Sequence, residues 1–211
     1  MDDRKLRRAF AMGVGAGANV LERAALLEPT RFPGLILVSA SARAGGWGEW
    51  ASWQHVQGAI QGLGLAPFVV DQLLGVFFSP ESLDPRTDLV NQVGQVVAKK
   101  PAGAVRRYLW AFLRRDDITE RVAALPKTHF LFFSGYSSYT APDSEALFGA
   151  APNDRSSMIT VRQAGTLITE ERPLEFIVPI QLFLQGQSIM IDVTRDLHLY
   201  DQAGPPKPFN S

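Results

Sequence analysis

The sequence predicts an α/β fold whose parallel sheet is interrupted by a long helical insertion. Residues 10–14 and 34–38 have the pattern of buried strands, and the stretch between them has the apolar stripe of a helix that ends before Pro29. Residues 47–125 read as mainly helical, with Gly and Pro between the helices. Residues 128–135 and 157–161 return to the strand pattern. Strand, helix and strand in close succession form a βαβ unit, so we expect a parallel sheet flanked by helices.

The turn between the first strand and its helix is rich in glycine and allows three interpretations. The first is a dinucleotide-binding turn, because Gly13-x-Gly15-x-x-Ala18 matches a loose form of that fingerprint. Such a site needs an acidic residue after the next strand to hold the ribose, whereas residues 39–42 read Ser-Ala-Ser-Ala. The second is a purely structural turn, since alternating glycines let the backbone reverse where a Cβ would clash. The third is the nucleophile elbow G-x-S-x-G, with Gly15 in place of the serine.

Two later positions favour the elbow interpretation. In α/β hydrolases the catalytic acid follows the penultimate strand, and the catalytic histidine follows the last strand. Here the first of these turns reads Gly135-Tyr136-Ser137-Ser138, and the second reads Gly165-Thr166. A serine nucleophile needs a base to take its proton and an acid to orient that base. Gly15, Ser138 and Thr166 are therefore expected to be vestigial triad positions, on the C-terminal part of an α/β-hydrolase fold without hydrolase chemistry.

The predicted elements divide the chain into four parts. Residues 1–43 form the first part of the hydrolase-like core, 44–126 an inserted helical cap, 127–187 the second part of the core and 188–211 a tail. Trp47, Trp50 and Trp53 recur every three residues at the start of the cap and lie on one side of a helix. We expect them to pack against the body below, and an aromatic-lined ligand surface is the alternative. The charged residues Arg106, Arg107, Arg114, Arg115, Asp116 and Asp117 are expected to form a solvated face with local ion pairs, and a site for a phosphate or an acidic partner is the alternative.

Composition excludes several classes of function. The 211 residues carry no formal net charge, so nothing favours nucleic acid as a partner, and none of them is cysteine, which excludes thiolate chemistry and disulfides. No cluster of His, Asp and Glu has the spacing of metal ligands, and we expect neither a metal nor a cofactor. No apolar run is long enough to span a membrane, and the charged first residues do not resemble a signal peptide. We expect a cytoplasmic protein, with peripheral membrane association left open.

An active hydrolase with relocated catalytic groups is the competing hypothesis. The candidate bases are His55 on a cap helix, His129 at the start of a strand and His198 in the tail. None of the three follows the last strand, where a base should lie. Ser39 and Ser41 could border the pocket, but no base is assigned to either.

Three runs resemble the N-myc downstream-regulated (NDR) family. These are GVGAGANVL at 13–21, PGLILV at 33–38 and GWGEW at 46–50, and the later stretches 164–173 and 183–186 resemble that family's last strand and C-terminal helix. The resemblance covers residues 6–188. It implies an α/β-hydrolase fold that lacks catalytic residues. Family members carry further strands upstream of the elbow, so we expect this chain to be a truncated product or a fragment.

The same resemblance implies non-enzymatic work through protein partners. Members of the family are linked to signalling, stress responses, differentiation and vesicle trafficking. We expect recognition by the cap and by the vestigial pocket beneath it. Trp47, Trp50, Tyr136 and Ser137 are the residues expected to border that pocket.

Overall fold

The computed structural model describes residues 7–84 and 87–187, with the backbone alone described for 47–50 and 52. It contains four strands, β1 (Ala11–Val14), β2 (Gly34–Val38), β3 (His129–Gly135) and β4 (Ser156–Val161). They form one sheet in the order β1-β2-β3-β4, and every neighbouring pair is parallel. The predicted α/β class is confirmed. All five residues of β2 are buried, as expected for a strand between two neighbours with both faces covered.

Three helices accompany the sheet. Helix α1 (Ala16–Leu27) connects β1 to the 3-10 turn Pro29–Arg31 that precedes β2. Helices α7 (Thr119–Ala123) and α8 (Ala141–Ala150) flank β3 in the chain. The buried apolar side chains of these helices pack with those of the sheet into one core, whose larger members include Leu35, Leu37, Phe130, Phe132 and Leu147. Burial of such side chains contributes the main stabilisation of a domain of this kind.

The insertion between β2 and β3 contributes five further helices before α7. They are α2 (Trp47–Leu63), α3 (Pro67–Phe77), α4 (Pro80–Leu83), α5 (Asp88–Ala98) and α6 (Ala102–Leu113). The sequence pattern predicted four of them within two residues at each end, and took Pro80–Leu83 for a turn segment. Helices α2, α3 and α6 bury a separate apolar cluster that includes Trp53, Leu73 and Leu109, and α3 and α5 share a second cluster around Leu74 and Val90. The insertion therefore has an apolar core of its own.

The chain divides into two compact units, Met1–Pro173 and Leu174–Ser211. The short helix α9 (Ile168–Glu171) lies near the C-terminal end of the first unit, where the sequence pattern gave no helix. Helix α10 (Pro173–Gly186) follows with Pro179 inside it. Among the described residues, no helix is both long enough and apolar enough to cross a membrane.

Candidate functional site

The strand–turn–helix junction at Gly15 has the geometry of a nucleophile elbow. Gly15 ends the turn between β1 and α1 with φ 55° and ψ −123°, a conformation that residues with a Cβ rarely adopt. Its amide donates to the carbonyl of Val38 at 2.8 Å, which ties the turn to the end of β2. In hydrolases this strained turn lifts a serine above the sheet edge. Here no side chain is present at that point.

The other two glycines of the motif have different roles. A Cβ on Gly13 would lie 2.7 Å from the Cα of Ala18 and 2.7 Å from the carbonyl oxygen of Gly17, so the close packing of β1 on α1 requires glycine there. A Cβ on Gly17 would meet nothing within 4 Å. Only the first two of the three alternating glycines are therefore required by the turn.

Thr166 lies directly opposite Gly15. A Cβ built on Gly15 would be 3.7 Å from Cγ2 of Thr166, which is an ordinary van der Waals distance. Ser138 lies beside them, because its Oγ is 3.0 Å from Oγ1 of Thr166. The structure thus brings the three predicted triad positions together: Thr166, at the position expected for the base, lies between Gly15 and Ser138, at the position expected for the acid. Ser138 and Thr166 provide only hydroxyl groups there.

The hydroxyl protons at this point are all used within the protein. Thr166 Oγ1 donates to the carbonyl of Val76 at 2.9 Å, and Thr140 Oγ1 donates to the carbonyl of Ser39 at 3.2 Å. Ser138 Oγ lies 3.0 Å from each of these two threonine hydroxyls, so its own proton goes to one of them. Because each hydroxyl has one proton to give, none of the three can act as a free donor toward a bound molecule.

The loop that follows β4 is joined to the end of helix α3. The amides of Thr166 and Leu167 both donate to the carbonyl of Phe77, at 2.8 and 3.0 Å. A Cβ on Gly165 would lie 2.6 Å from the carbonyl carbon of Phe78, so the two backbones are in close contact. Glu171 adds three bonds, since its carboxylate accepts from the amides of Ser79 and Gly165 and from the hydroxyl of Ser82. The loop that carries histidine in a hydrolase is here fixed to a helix of the insertion.

A cavity of about 160 Å³ opens beside Gly15. Its walls come from the elbow, from helices α2, α3 and α6, and from the loops after β3 and β4. The larger side chains that line it are those of Trp53, Phe77, Tyr108, Leu109, Phe112 and Tyr139. Of the described residues that line this cavity, none is acidic, basic or histidine.

The residues predicted to border the pocket are only partly located by the structure. Trp47 and Trp50 begin helix α2, but their side chains lie outside the described residues. Tyr136 and Ser137 are exposed on the loop after β3 and are not among the described residues that line the cavity. Two residues further along the same loop, Tyr139 and Thr140, line it instead. The sequence interpretation missed these two residues, because the hydrolase pattern does not specify the length of the loop after β3.

The histidines lie away from this point where the structure describes them. His55 is exposed on helix α2, and His129 is half-buried at the start of β3, at the opposite end of the strand from Gly135. His198 lies outside the described residues. In the part of the chain that the structure describes, no group of three or more acidic residues and histidines could hold a metal ion.

A buried polar cluster near the elbow was missed by the sequence interpretation. Arg115, expected on a solvated face, is buried, with a side chain that is 2% exposed. It donates to Ser41 Oγ at 2.8 Å and lies 3.6 Å from the carboxylate of Asp143, which itself accepts from Ser41 at 2.5 Å. Asn19 of helix α1 joins the cluster by donating to the carbonyl of Ser41 at 2.9 Å. Sequence periodicity could not identify Arg115 as buried, because only its tertiary contacts distinguish it from the neighbouring charged residues.

Glu22 lies at the inner end of this cluster. It is fully buried on helix α1, with one carboxyl oxygen 3.4 Å from the amide nitrogen of Asn19 and the other without a hydrogen-bond partner. Burial raises the pKa of the Glu22 carboxyl from 4.5 to about 7, against the opposing effects of Arg23, Asn19 and Arg115. The group is therefore protonated over much of the acidic range.

Comparison with known proteins places these features in a family. The model of the Ndr family matches residues 1–191. Protein NDL1 of Arabidopsis thaliana is 30% identical over 186 residues, which is 85% of this chain and 53% of the relative. Protein NDL3 of the same plant is 28% identical over 185 residues, 86% of this chain and 53% of the relative. The chain thus spans about half the length of these relatives.

Solved structures with the same fold include hydrolases. A hydrolase from Pseudomonas aeruginosa superposes with a TM-score of 0.75 at 22% identity, over 87% of this chain and 67% of that one. A thermophilic esterase from Thermogutta terrifontis gives 0.73 at 19% identity, over 85% and 65% of the two chains. These likenesses confirm the predicted α/β-hydrolase fold.

Proposed function

Because this chain belongs to the Ndr family, we propose that it is a non-enzymatic protein that works through partner binding on a catalytically inactive α/β-hydrolase scaffold. Its role would lie in signalling, stress response, differentiation or trafficking, the classes of work that the family resemblance implies. A cytoplasmic site of action is part of the same proposal. The observation that supports it is that Gly15, Ser138 and Thr166, the positions predicted for nucleophile, acid and base, lie together and offer no side chain or only a hydroxyl group.

The chemistry of the cavity supports the absence of catalysis. Acyl transfer needs an activated nucleophile and a base within hydrogen-bond reach of it. The described lining of the cavity beside Gly15 contains no histidine, carboxylate or amine, and the hydroxyl of Thr166 donates its proton to the carbonyl of Val76. A hydroxyl that is held in this way has no group to remove its proton. The described lining of this cavity therefore offers no base for an active hydrolase with relocated catalytic groups.

The partner surface that we propose is the rim formed by the start of helix α2 and the loop after β3. Trp47, Trp50, Tyr136 and Ser137 would form it. Tyr136 supports this assignment because its side chain is 74% exposed at the carboxyl edge of the sheet. A large aromatic side chain that is left in solvent is a frequent anchor in protein interfaces.

Labelling with a fluorophosphonate tests the inactive scaffold. We expect no adduct on the folded chain by intact-mass analysis after incubation with an excess of the probe, while an active serine hydrolase in the same tube is labelled fully. Circular dichroism confirms that the chain is folded. A stoichiometric adduct on a serine would contradict the proposal and would identify the nucleophile by peptide mapping.

Interface substitution tests the partner surface. Tyr136→Arg should lower the recovery of partners that the wild-type chain captures, because a charge replaces the exposed aromatic anchor. Leu27→Arg is the matched control, since Leu27 is 82% exposed at the far end of helix α1. Equal recovery with both variants, measured by quantitative mass spectrometry, would place the partner surface elsewhere.

A further inference from the structure

We infer that the cavity beside Gly15 binds a small, uncharged, apolar molecule of about the size of one aromatic ring. The inference deepens the proposed function and rests on it, because an active site would be shaped for a reacting ester instead. Its basis is the volume of the cavity, the chemistry of its walls and the missing side chain at position 15.

The volume sets the size of the ligand. The cavity measures about 160 Å³, whereas pockets for drug-sized ligands are usually about 300 Å³ or larger. A dry protein cavity of about 150 Å³ lined by Leu, Ile and Phe is sufficient to bind benzene. One ring with a small substituent therefore fits within this volume.

The walls set the polarity of the ligand. Trp53, Phe77, Leu109 and Phe112 present apolar surface, and no described lining residue carries a charge. The hydroxyls of Thr140 and Thr166 donate to backbone carbonyls. A charged ligand would lose its hydration and find no opposite charge among the described lining residues, which include the hydroxyls of Tyr108 and Tyr139 as further polar groups, and such a transfer costs several kcal/mol for an ion. An apolar ligand gains the transfer of its own surface out of water.

Gly15 enlarges the cavity because it has no side chain. In an elbow with serine, the hydroxymethyl group would project from this position toward the residue at 166, since a Cβ here lies 3.7 Å from Thr166 Cγ2. With glycine, that space becomes part of the cavity, and no nucleophile competes with the ligand for it. Glycine at position 15 therefore both removes the catalytic group and adds space for an apolar ligand.

Ligand binding should also stabilise the contact between the insertion and the sheet. The lining residues come from helices α2, α3 and α6 on one side and from the elbow and the loops after β3 and β4 on the other. A molecule that fills the space between them binds the folded state alone, so it raises the unfolding temperature as its concentration exceeds Kd.

Fluorobenzene is the probe for the experiment, and benzoate is its charged counterpart. We expect saturable binding of fluorobenzene by 19F NMR, with Kd between about micromolar and about millimolar for so small a ligand, and a rise in unfolding temperature. Benzoate should bind at least about tenfold more weakly, because no described lining residue offers its carboxylate a positive charge. Absence of saturable fluorobenzene binding, or equal affinity for the two probes, would overturn the inference.

Cavity-filling substitutions locate the site. Leu109→Phe should weaken fluorobenzene binding about tenfold or more, because the larger side chain enters the space of the ligand. Leu113→Phe is the matched control, since Leu113 lies one turn further along the same helix, is equally buried and does not line the cavity. Val76→Phe fills the cavity from helix α3 if Leu109→Phe fails to fold. Equal weakening by Leu113→Phe and the filling variants would exclude this cavity as the site.

The two proposals fail in different ways. A fluorophosphonate adduct contradicts the inactive scaffold, whatever fluorobenzene does. Absence of fluorobenzene binding together with absence of an adduct contradicts only the ligand site, and leaves the non-enzymatic function in place.

Discussion

At the residue scale, the buried carboxyl of Glu22 links the stability of the fold to pH. Its pKa is about 7 in the folded chain, against 4.5 for an exposed glutamate, because burial disfavours the charged form. The folded state therefore binds a proton more tightly than the unfolded state between these two values. The contribution of this group to stability is complete below the lower pKa and is lost as the pH rises through about 7.

Glu22→Gln should flatten this dependence. A glutamine has no proton to release, so the loss of unfolding free energy between pH 5 and pH 8 should be smaller in the variant by about 1–3 kcal/mol. Urea unfolding at the two pH values measures it. Glu28→Gln, at the exposed C-terminal end of the same helix, is the control and should keep the wild-type dependence. A dependence in Glu22→Gln as steep as in wild type would show that other groups cause it.

The residue scale is also where sequence reasoning reached its limits. The pattern of glycines identified the turn, but the sequence alone does not show which glycines the packing requires. A Cβ on Gly13 would clash with the backbone of helix α1, whereas a Cβ on Gly17 would meet open space. Ser138 and Thr166 were found because strand order fixes which turns meet at the sheet edge, and their assignment as vestigial triad positions stays a prediction. The burial of Arg115 could not be found, since it depends on contacts across more than 70 residues with Ser41.

At the scale of elements, the loop after β4 and the end of helix α3 form one hydrogen-bonded unit. Both carboxylate oxygens of Glu171 are used there, one by Ser79 and Ser82 and the other by the amide of Gly165 at 2.6 Å. Phe77 accepts from two further amides of the loop. The short helix α9 was not expected from the sequence because four residues carry too little periodicity, although its role is to place this carboxylate.

Glu171→Gln should loosen that unit. The neutral amide can replace only part of the acceptor set, and it turns an NH2 group toward a backbone donor, so we expect a loss of about 1–3 kcal/mol in unfolding free energy. Hydrogen exchange should become faster at Gly165, Thr166 and Ser79. The neighbouring Glu170→Gln changes an exposed carboxylate of the same helix and should leave the exchange unchanged. Protection of the three amides at the wild-type level in Glu171→Gln would contradict the role of this carboxylate.

At the scale of the whole molecule, the sheet and the helical insertion were predictable from sequence, but the contacts that hold them together were not. Periodicity finds strands and helices since it depends on neighbours in the chain. The parallel direction of β1 and β2 follows from the βαβ unit that they form with helix α1. Packing between the insertion and the sheet depends on polar groups whose partners are remote in sequence. Arg115 directly after helix α6 illustrates this, because it contacts Ser41 after β2 and Asp143 on helix α8.

Arg115→Leu tests whether this contact holds the insertion to the sheet. The side chain is 2% exposed and lies 3.6 Å from the Asp143 carboxylate, so its removal takes a buried cation away from Asp143 and a donor away from the hydroxyl of Ser41. We expect a loss of about 2–4 kcal/mol in unfolding free energy. Circular dichroism during urea unfolding measures it, and hydrogen exchange should increase in helix α6 before it increases in β2 and β3.

Arg114→Leu is the matched control for that substitution. Arg114 is exposed and lies over the ring of Trp110 at 4.4 Å, an interaction of about 0.5–1 kcal/mol at a surface. The two arginines are adjacent and have the same charge, so a change in net charge affects both variants equally. A larger loss in Arg115→Leu than in Arg114→Leu therefore reports the buried contact. Equal losses would mean that the buried contact of Arg115 is not what holds the insertion against the sheet.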